Sequence, residues 1–371
     1  MHRVLFIFGT RPEAIKLCPL VRELRSSSDF HIRVCVTGQH REMLHQVLAA
    51  FEVTPDHDLD LMLPGQTLFQ STSRILAGLE PVLTAERTHL TIVQGDTTTT
   101  LCGALASFYQ NVPVAHVEAG LRTADLRQPF PEELNRVLTS RMTALHFAPT
   151  EDAAQNLRQE GISPDAVHVT GNTGIDAVLY VRDALEQGRL HAPAAFQNKP
   201  NRKLIVVTAH RRESFGDGFE RICGALAQLA ERPDVEIVYP VHPNPNVEDP
   251  VNRILRGKSN IQLIAPLDYV SFVDLMRRAY LLITDSGGIQ EEGPSLGKPI
   301  LVLREKTERP EAVTAGTVKL VGTSPERIVS EAVRLLDDAQ EYERMARVHN
   351  PYGDGRSCPR IAGLIRSFLS K

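Results

Sequence analysis

Groups that can move protons recur in this sequence directly after short apolar runs. Asp96 follows "LTIVQG", Glu118 follows "VAHV", His210 follows "LIVVTA", and Glu132 and Glu133 follow "QPFP". Carboxylates and an imidazole are the usual general acids and bases at neutral pH. A second set suits an anion. In "TDSGGIQEE" (284–292), Ser286, Gly287 and Gly288 stand where an apolar run gives way to a helix expected near Gly288. Glycine lets backbone N–H groups approach a phosphate, and a helix start favours negative charge. Arg309 in "EKTERPEAV" and Arg11 in "FGTRPEAIK" add bidentate donors.

Each of these residues also has a plain structural reading. Asp96 or Thr97 caps a helix. Glu132 and Glu133 are favoured in a first turn by the helix dipole. The glycines make a tight turn, and His242, between the prolines of "YPVHPNP", shapes a loop. Three acids beside arginines that bind an anion favour proton transfer over this sum of local explanations. His210, flanked by Arg211 and Arg212, reads as functional for the same reason.

Other chemistries find little support. "DHDLD" (56–60) offers alternating acids but lacks the glycine and distal glutamate of a calcium loop, so it reads as a solvated turn with no metal. No Cys/His spacing suits zinc, and neither a Walker-A nor a G-x-G-x-x-G sequence occurs, which argues against ATP hydrolysis and bound NAD. The formal charge of −4 gives no reason to expect nucleic acid or an anionic membrane as partner. Five scattered cysteines (18, 35, 102, 223, 358) read as reduced core thiols, and no apolar run approaches the ~20 residues of a membrane span. The five apolar residues before Gly9 are too short for a signal-peptide core. A cytoplasmic protein is expected.

Elements must hold these residues in place, and the pattern names them. Short β-branched runs alternate with stretches of helical period. The runs are Val4–Phe8, Ile32–Val36, Leu90–Val93, Val112–His116, Leu145–Phe147 and Val167–Thr170. After a polar stretch (187–203) follow Leu204–Val207, Glu236–Tyr239, Ile261–Ile264, Leu281–Ile283, Ile300–Leu303 and Val318–Val321. Two groups of six predict an α/β chain of two doubly wound, Rossmann-like domains. The first is expected over 1–170 plus 356–371, whose short amphipathic helix "CPRIAGLIRSFLSK" can return to it. The second is expected over 171–355. The helix near Thr97–Tyr109 carries Leu101, Leu105 and Phe108 at core spacing. Ligands of open parallel sheets bind beyond the carboxyl ends of strands, where almost every unusual cluster falls, so the two domains are expected to face a central cleft.

Ten motifs in order then resemble one family, the non-hydrolysing UDP-N-acetylglucosamine (UDP-GlcNAc) 2-epimerases. They are "FGTRPEAIK", "QHREML", "GDTTTT", "HVEAGLRT", "PEELNR", "HRRESFG", "YPVHPNP", "TDSGGIQEE", "TERPEAV" and "NPYGDG", spread over essentially the whole chain. The resemblance implies a GT-B-like pair of Rossmann domains. The implied activity is reversible isomerisation of UDP-GlcNAc to UDP-N-acetylmannosamine (UDP-ManNAc), without a cofactor, by elimination of UDP to 2-acetamidoglucal and re-addition. It implies Asp96, Glu118, Glu132 and His210 as catalytic groups. Arg11, Lys16, Phe272, Ser286, Gly287, Gly288, Glu292 and Arg309 match the family's nucleotide-sugar contacts, with Phe272 at uracil and Glu292 at the ribose.

A homodimer is implied as well, together with a role in supplying ManNAc-type sugars for bacterial surface polysaccharides. Some members bind a second UDP-GlcNAc as activator, and the matching positions are Gln39, Arg74, Arg211, Glu213 and His242. Glu42 departs from that pattern, since a member so regulated has Gln there, and a carboxylate near a diphosphate weakens binding. Gly293 replaces an alanine common after "QEE", a minor packing change. The readings that compete are a hydrolysing relative that releases free ManNAc, a glycosyltransferase of the same fold, and a non-catalytic sensor. The sensor would be expected to have lost the acids.

Overall fold

Strands of a parallel sheet covered on both faces have no solvent side, so they read as continuous apolar runs. Val4 to Phe8 are all at most 1% exposed and form the heart of the first of them. The computed structural model describes residues 1–371 except 39–40, 64, 194–195, 197–198 and 308, with the backbone alone at 41–42. Its chain divides into two compact units, Met1–Tyr180 with Tyr352–Lys371, and Val181–Pro351.

In the first unit the elements run β1 (His2–Phe8), α1 (Arg11–Arg25), β2 (Phe30–Val36), α2 (Arg41–Ala50), β3 (His57–Asp58), α3 (Leu68–Glu86), β4 (Leu90–Gln94) and α4 (Thr98–Tyr109). Then follow β5 (Val114–Val117), α5 (Glu132–Met142), β6 (Thr143–Ala148), α6 (Glu151–Gln159), β7 (Val167–Val169) and α7 (Thr173–Glu186), which carries the chain into the second unit. The strands pair in parallel in the order β3-β2-β1-β4-β5-β6-β7.

The second unit contains β8 (Lys203–Thr208), α8 (Asp217–Leu229), β9 (Val235–Pro240), α9 (Pro245–Leu255), β10 (Ile261–Ile264), α10 (Tyr269–Arg278), β11 (Leu281–Thr284) and α11 (Gly287–Glu292). It ends with β12 (Ile300–Val302), α12 (Pro310–Ala315), β13 (Val318–Leu320), α13 (Pro325–Asp337) and α14 (Ala339–Ala346). Its sheet order is β10-β9-β8-β11-β12-β13, again all parallel. The last helix, α15 (Ser357–Leu369), packs on α1 in the first unit. Asp176 anchors its start by accepting the Ser357 and Cys358 N–H groups at 3.2 and 2.9 Å.

Both sheets have the doubly wound order, with a switch point between β1 and β4 in one unit and between β8 and β11 in the other. Chains leaving neighbouring strands there go to opposite faces and open a crevice beyond the carboxyl ends. All twelve expected strands are present. Among the described residues the structure adds one, β3, within "DHDLD", the stretch expected to be a solvated turn. Two polar residues carry no strand period, and a sheet edge holds them instead. Cys35 and Val36 pair with His57 and Asp58. Asp56 accepts the Val34 N–H at 2.8 Å and Arg33 Nη1 at 2.6 Å, and His57 reaches Glu86 at 2.7 Å.

Helix α4 corrects a second expectation. Leu101 and Leu105 are only half-buried and Phe108 is 58% exposed. The buried side is instead Thr99, Thr100, Cys102, Gly103, Ala104, Ala106 and Ser107. A Cβ on Gly103 would lie 3.0 Å from Val93 Cγ1 and 3.3 Å from Ile7 Cγ2. The helix therefore sits so close to the sheet that only small side chains fit beneath it, and the large apolar stripe is turned outward. At Gly293 the space of a Cβ is filled by the ends of two flexible side chains, Ile300 Cδ1 at 2.7 Å and Leu282 Cδ1 at 2.8 Å, which is a local packing adjustment.

Candidate active site

The first unit gathers its polar residues at the β1/β4/β5 strand ends. Thr10 caps α1, and Glu13 completes a capping box with it. Glu13 does more than cap. At 1% exposure its carboxylate accepts the N–H groups of Gly9 (3.1 Å) and Thr10 (2.7 Å) and the hydroxyls of Thr97 (2.8 Å) and Thr100 (3.2 Å). It thus ties the loop bearing Arg11 to the start of α4, behind Asp96. Burial pushes its carboxyl above the ordinary range, against these hydrogen bonds. The T-x-x-E spacing was the available signal, but only as a cap.

Asp96 follows Gly95, which has φ +71°. The helix after it is capped by Thr97, not by Asp96, so the Asp96 side chain is left for other work. Arg136 Nε donates to its Oδ2 at 2.9 Å, and Nη2 lies 2.7 Å from the same oxygen in an ion pair. Asn135 Nδ2 donates to its backbone carbonyl at 2.8 Å. Oδ1 accepts no hydrogen bond among the described residues. One strand over, Glu118 holds a left-handed backbone, φ +64°, uncommon for a residue with a side chain. Its carboxylate pairs with Lys16 and accepts Gln94 Nε2 at 2.8 Å.

Sequence treated Glu132 and Glu133 alike, and the fold separates them. Glu133 is 1% exposed and holds the Thr123 and Ala124 N–H groups (2.9 and 3.2 Å) together with Arg136 (3.0 Å). Glu132 is half-buried, with no hydrogen bond or ion pair among the described residues. Arg11 is also half-buried and forms no ion pair among them. Arg136, which bridges Asp96 and Glu133, was not singled out from sequence: its pairing with Glu133 is an ordinary i,i+3 helix contact, and Asp96 lies 40 residues away along the chain.

In the second unit the clusters meet at the β8/β11 switch point. Ser286 precedes α11, a helix of only six residues, so its N-terminus alone makes a weak case for an anion. The stronger observation is Arg309. Its guanidinium lies against Gly287, 3.5 Å from where a Cβ would be, and pairs with Glu291, itself 5% exposed. Thr307 Oγ1 donates to Gln290 Oε1 at 2.8 Å and accepts the Arg309 N–H at 3.1 Å, fixing that loop on the helix. Glu292 and Phe272 are half-buried, on α11 and α10.

His210 stacks on His242, ring centroids 5.3 Å apart at 16°. Burial pulls the His210 pKa below its ordinary value; Asp285 opposes this, while His242 and Arg211 add to it. Of the positions matched to an activator site, Arg211 and His242 share this crest, and Glu213 pairs with Arg304 at 2.6 Å. Arg74 is exposed on α3 in the first unit. Gln39 lies outside the described residues, as does the Glu42 side chain.

The whole chain is similar to proteins of known kind. The UDP-N-acetylglucosamine 2-epimerase family model matches residues 22–366. The UDP-N-acetylglucosamine 2-epimerase of Salmonella typhimurium is 57% identical over 371 residues, 99% of each chain. The chain belongs to the UDP-N-acetylglucosamine 2-epimerase family. A structure of the Neisseria meningitidis UDP-GlcNAc 2-epimerase bound to UDP-GlcNAc matches all of both chains at 46% identity and TM-score 0.88. A glycosyltransferase from Streptomyces nogalater, 17% identical over 99% of each chain with TM-score 0.65, shows that this epimerase family shares its fold with such transferases. Among the described residues, no helix of this family member is long and apolar enough to cross a membrane.

Proposed function

We propose that this chain interconverts UDP-GlcNAc and UDP-ManNAc by eliminating and re-adding UDP. A carboxylate takes the C2 proton, the C–H electrons become the C1=C2 bond, and UDP leaves C1 with the electrons of the C–O bond. The resulting 2-acetamidoglucal takes UDP back at C1 while a proton reaches the opposite face of C2. Asp96, Glu118 and Glu132 share the acid and base work, with His210 at the ligand. Arg11, Lys16, Ser286, Gly287, Gly288 and Arg309 hold the phosphates, Glu292 the ribose and Phe272 the uracil. The observation that carries this reading is the set of carboxylates at adjacent strand ends of one unit. They retain free or ion-paired oxygens in a family whose Neisseria member binds UDP-GlcNAc. Proton transfer by positioned groups and charge stabilisation of the leaving diphosphate are what the reaction requires.

Proton NMR of the purified protein with UDP-GlcNAc in D2O tests it. UDP-ManNAc carrying deuterium at C2 is expected. Free ManNAc plus UDP would mean hydrolysis, and bound but unchanged UDP-GlcNAc would sink the reading in favour of a transferase or a sensor.

Arg309→Ala is expected to weaken UDP binding ~10- to 100-fold, the usual worth of a charge-assisted contact. Calorimetry with UDP measures this, and unchanged affinity removes Arg309 from the phosphates.

The same reading places the enzyme in the supply of ManNAc-type sugars for surface polysaccharides, as a homodimer in the cytoplasm. Support for the dimer comes from Phe69, Phe108, Tyr109 and Leu138, 41–88% exposed on α3, α4 and α5, which pack side by side. An exposed apolar face of this kind is expected to be covered by another chain, and light scattering that finds one chain rejects it. An activator site at Gln39, Arg74, Arg211, Glu213 and His242 belongs to the same proposal. Rate curves that stay hyperbolic in UDP-GlcNAc would reject it.

A further inference from the structure

Asp285 is a buried carboxylate at the crest of the second unit that the proposed chemistry leaves without a task. It follows β11 directly, is 1% exposed, and donates its N–H to Thr208 O at 3.1 Å. Below it the partnered residues Thr208 and Thr284 join β8 to β11 through their hydroxyls at 2.6 Å. Its Oδ2 accepts two backbone N–H groups, from His210 and Arg211, both at 2.7 Å. Its Oδ1 has no hydrogen-bond partner among the described residues and lies 3.8 Å from His210 Nδ1. A buried carboxylate oxygen without a donor is costly, and the nearest ring nitrogen can supply one after a shift of less than ~1 Å.

We infer that Asp285 is a positioning residue for His210: it clamps the "AHRR" backbone with one oxygen and holds the imidazole by Nδ1–H with the other, leaving Nε2 for the ligand. The carboxylate accepts only, so the nitrogen facing it must carry the proton. Nε2 is then the atom whose protonation can change, as the third member of a triad does for its histidine. The groups that act on the ring are Asp285 from the end of β11, His242 from the end of β9 and neighbouring Arg211. Only the first favours the protonated form. The negative charge of Asp285 compensates an imidazolium when the ring meets a phosphate. The inference rests on the reading of His210 as part of the nucleotide-sugar site.

Long-range proton–nitrogen NMR on the wild-type protein, with and without UDP, reads the ring protons directly. A proton on Nδ1 is expected in both states, and a neutral ring protonated at Nε2 alone would overturn the inference whether or not any variant folds. UDP is expected to move the His210 Nε2 resonance. If it does not, the site reading fails while the tautomer result still stands, so the two failures are distinguishable.

Asp285→Asn keeps an oxygen for the two backbone N–H groups but turns an –NH2 toward Nδ1, which forces the ring proton to Nε2. The variant is expected to lose at least about tenfold in kcat with KM within ~3-fold, and to move the His210 titration to lower pH. A folded Asp285→Asn with wild-type kcat and an unshifted pH profile also overturns it.

Discussion

Asp96→Asn is expected to lower kcat by about 10²- to 10⁴-fold while UDP affinity stays within ~2-fold, the loss that follows when one positioned acid or base is removed. The geometry explains why the change is so selective. Both Arg136 contacts fall on Oδ2, which an asparagine oxygen replaces, and the Asn135 bond goes to the backbone. The loop therefore keeps its anchors, including the Gly95 N–H bond to Val117 O at 3.0 Å. What disappears is the unengaged Oδ1, the oxygen able to take or give a proton. Steady-state kinetics and UDP calorimetry on the same preparation separate the two quantities. Turnover at the wild-type rate would remove Asp96 from the acid/base role, and a parallel loss of UDP binding would make it a binding residue instead.

The second large effect concerns stability in acid. His116 and His146 are register partners on β5 and β6, 1% and 0% exposed. His116 Nε2 lies 2.7 Å from Gly95 O, so this nitrogen carries the proton and the ring fixes the peptide that leads into Asp96. His116 Nδ1 and both His146 nitrogens have no partner among the described residues. Burial pushes His116 down to about 4 and His146 down to about 3. Both folded values lie below the unfolded value of ~6.5, so the native rings stay neutral while the unfolded chain takes up protons. Stability from this source is full above pH ~6.5 and is lost as pH falls toward the folded values.

At pH 4.5 each ring costs roughly 2–3 kcal/mol relative to neutral pH, and the pair about 5. That is a large part of an ordinary stability of ~5–15 kcal/mol. His146→Leu removes one of the two titrations. Its first-unit urea transition is expected to lose roughly 2–3 kcal/mol less than wild type between pH 7 and pH 4.5. Identical pH dependence in the two proteins would reject the account.

These two predictions draw on residues of different legibility. Asp96 was visible because a carboxylate directly after an apolar run has few other reasons to be there. His116 and His146 were not, because each sits inside such a run and reads as one more core position. Glu13, Arg136 and Asp285 were hidden in another way. An acid in a first turn, an arginine on a helix and an aspartate before a serine are each explained locally, while the distant partners of Asp285 and Glu13 lie 74 to 87 residues away. Glu132 and Glu133 show the limit at its narrowest, since adjacent identical residues differ only in which way the helix turns them.

The sequence by itself determined the alternation of strands and helices, the parallel sheets and the strand-end placement of the site. A strand buried on both faces must be apolar throughout, and polar residues can resume only where it ends. Only the tertiary structure decided which polar residues meet and which apolar stripe is covered. Leu101, Leu105 and Phe108 have core spacing on α4, yet Gly103 brings that helix so near Val93 and Ile7 that its small-residue side is the one that fits. Period fixes that a helix has a face. Distance to the neighbouring layer fixes which face goes in, and that distance is a property of packing, not of any single segment.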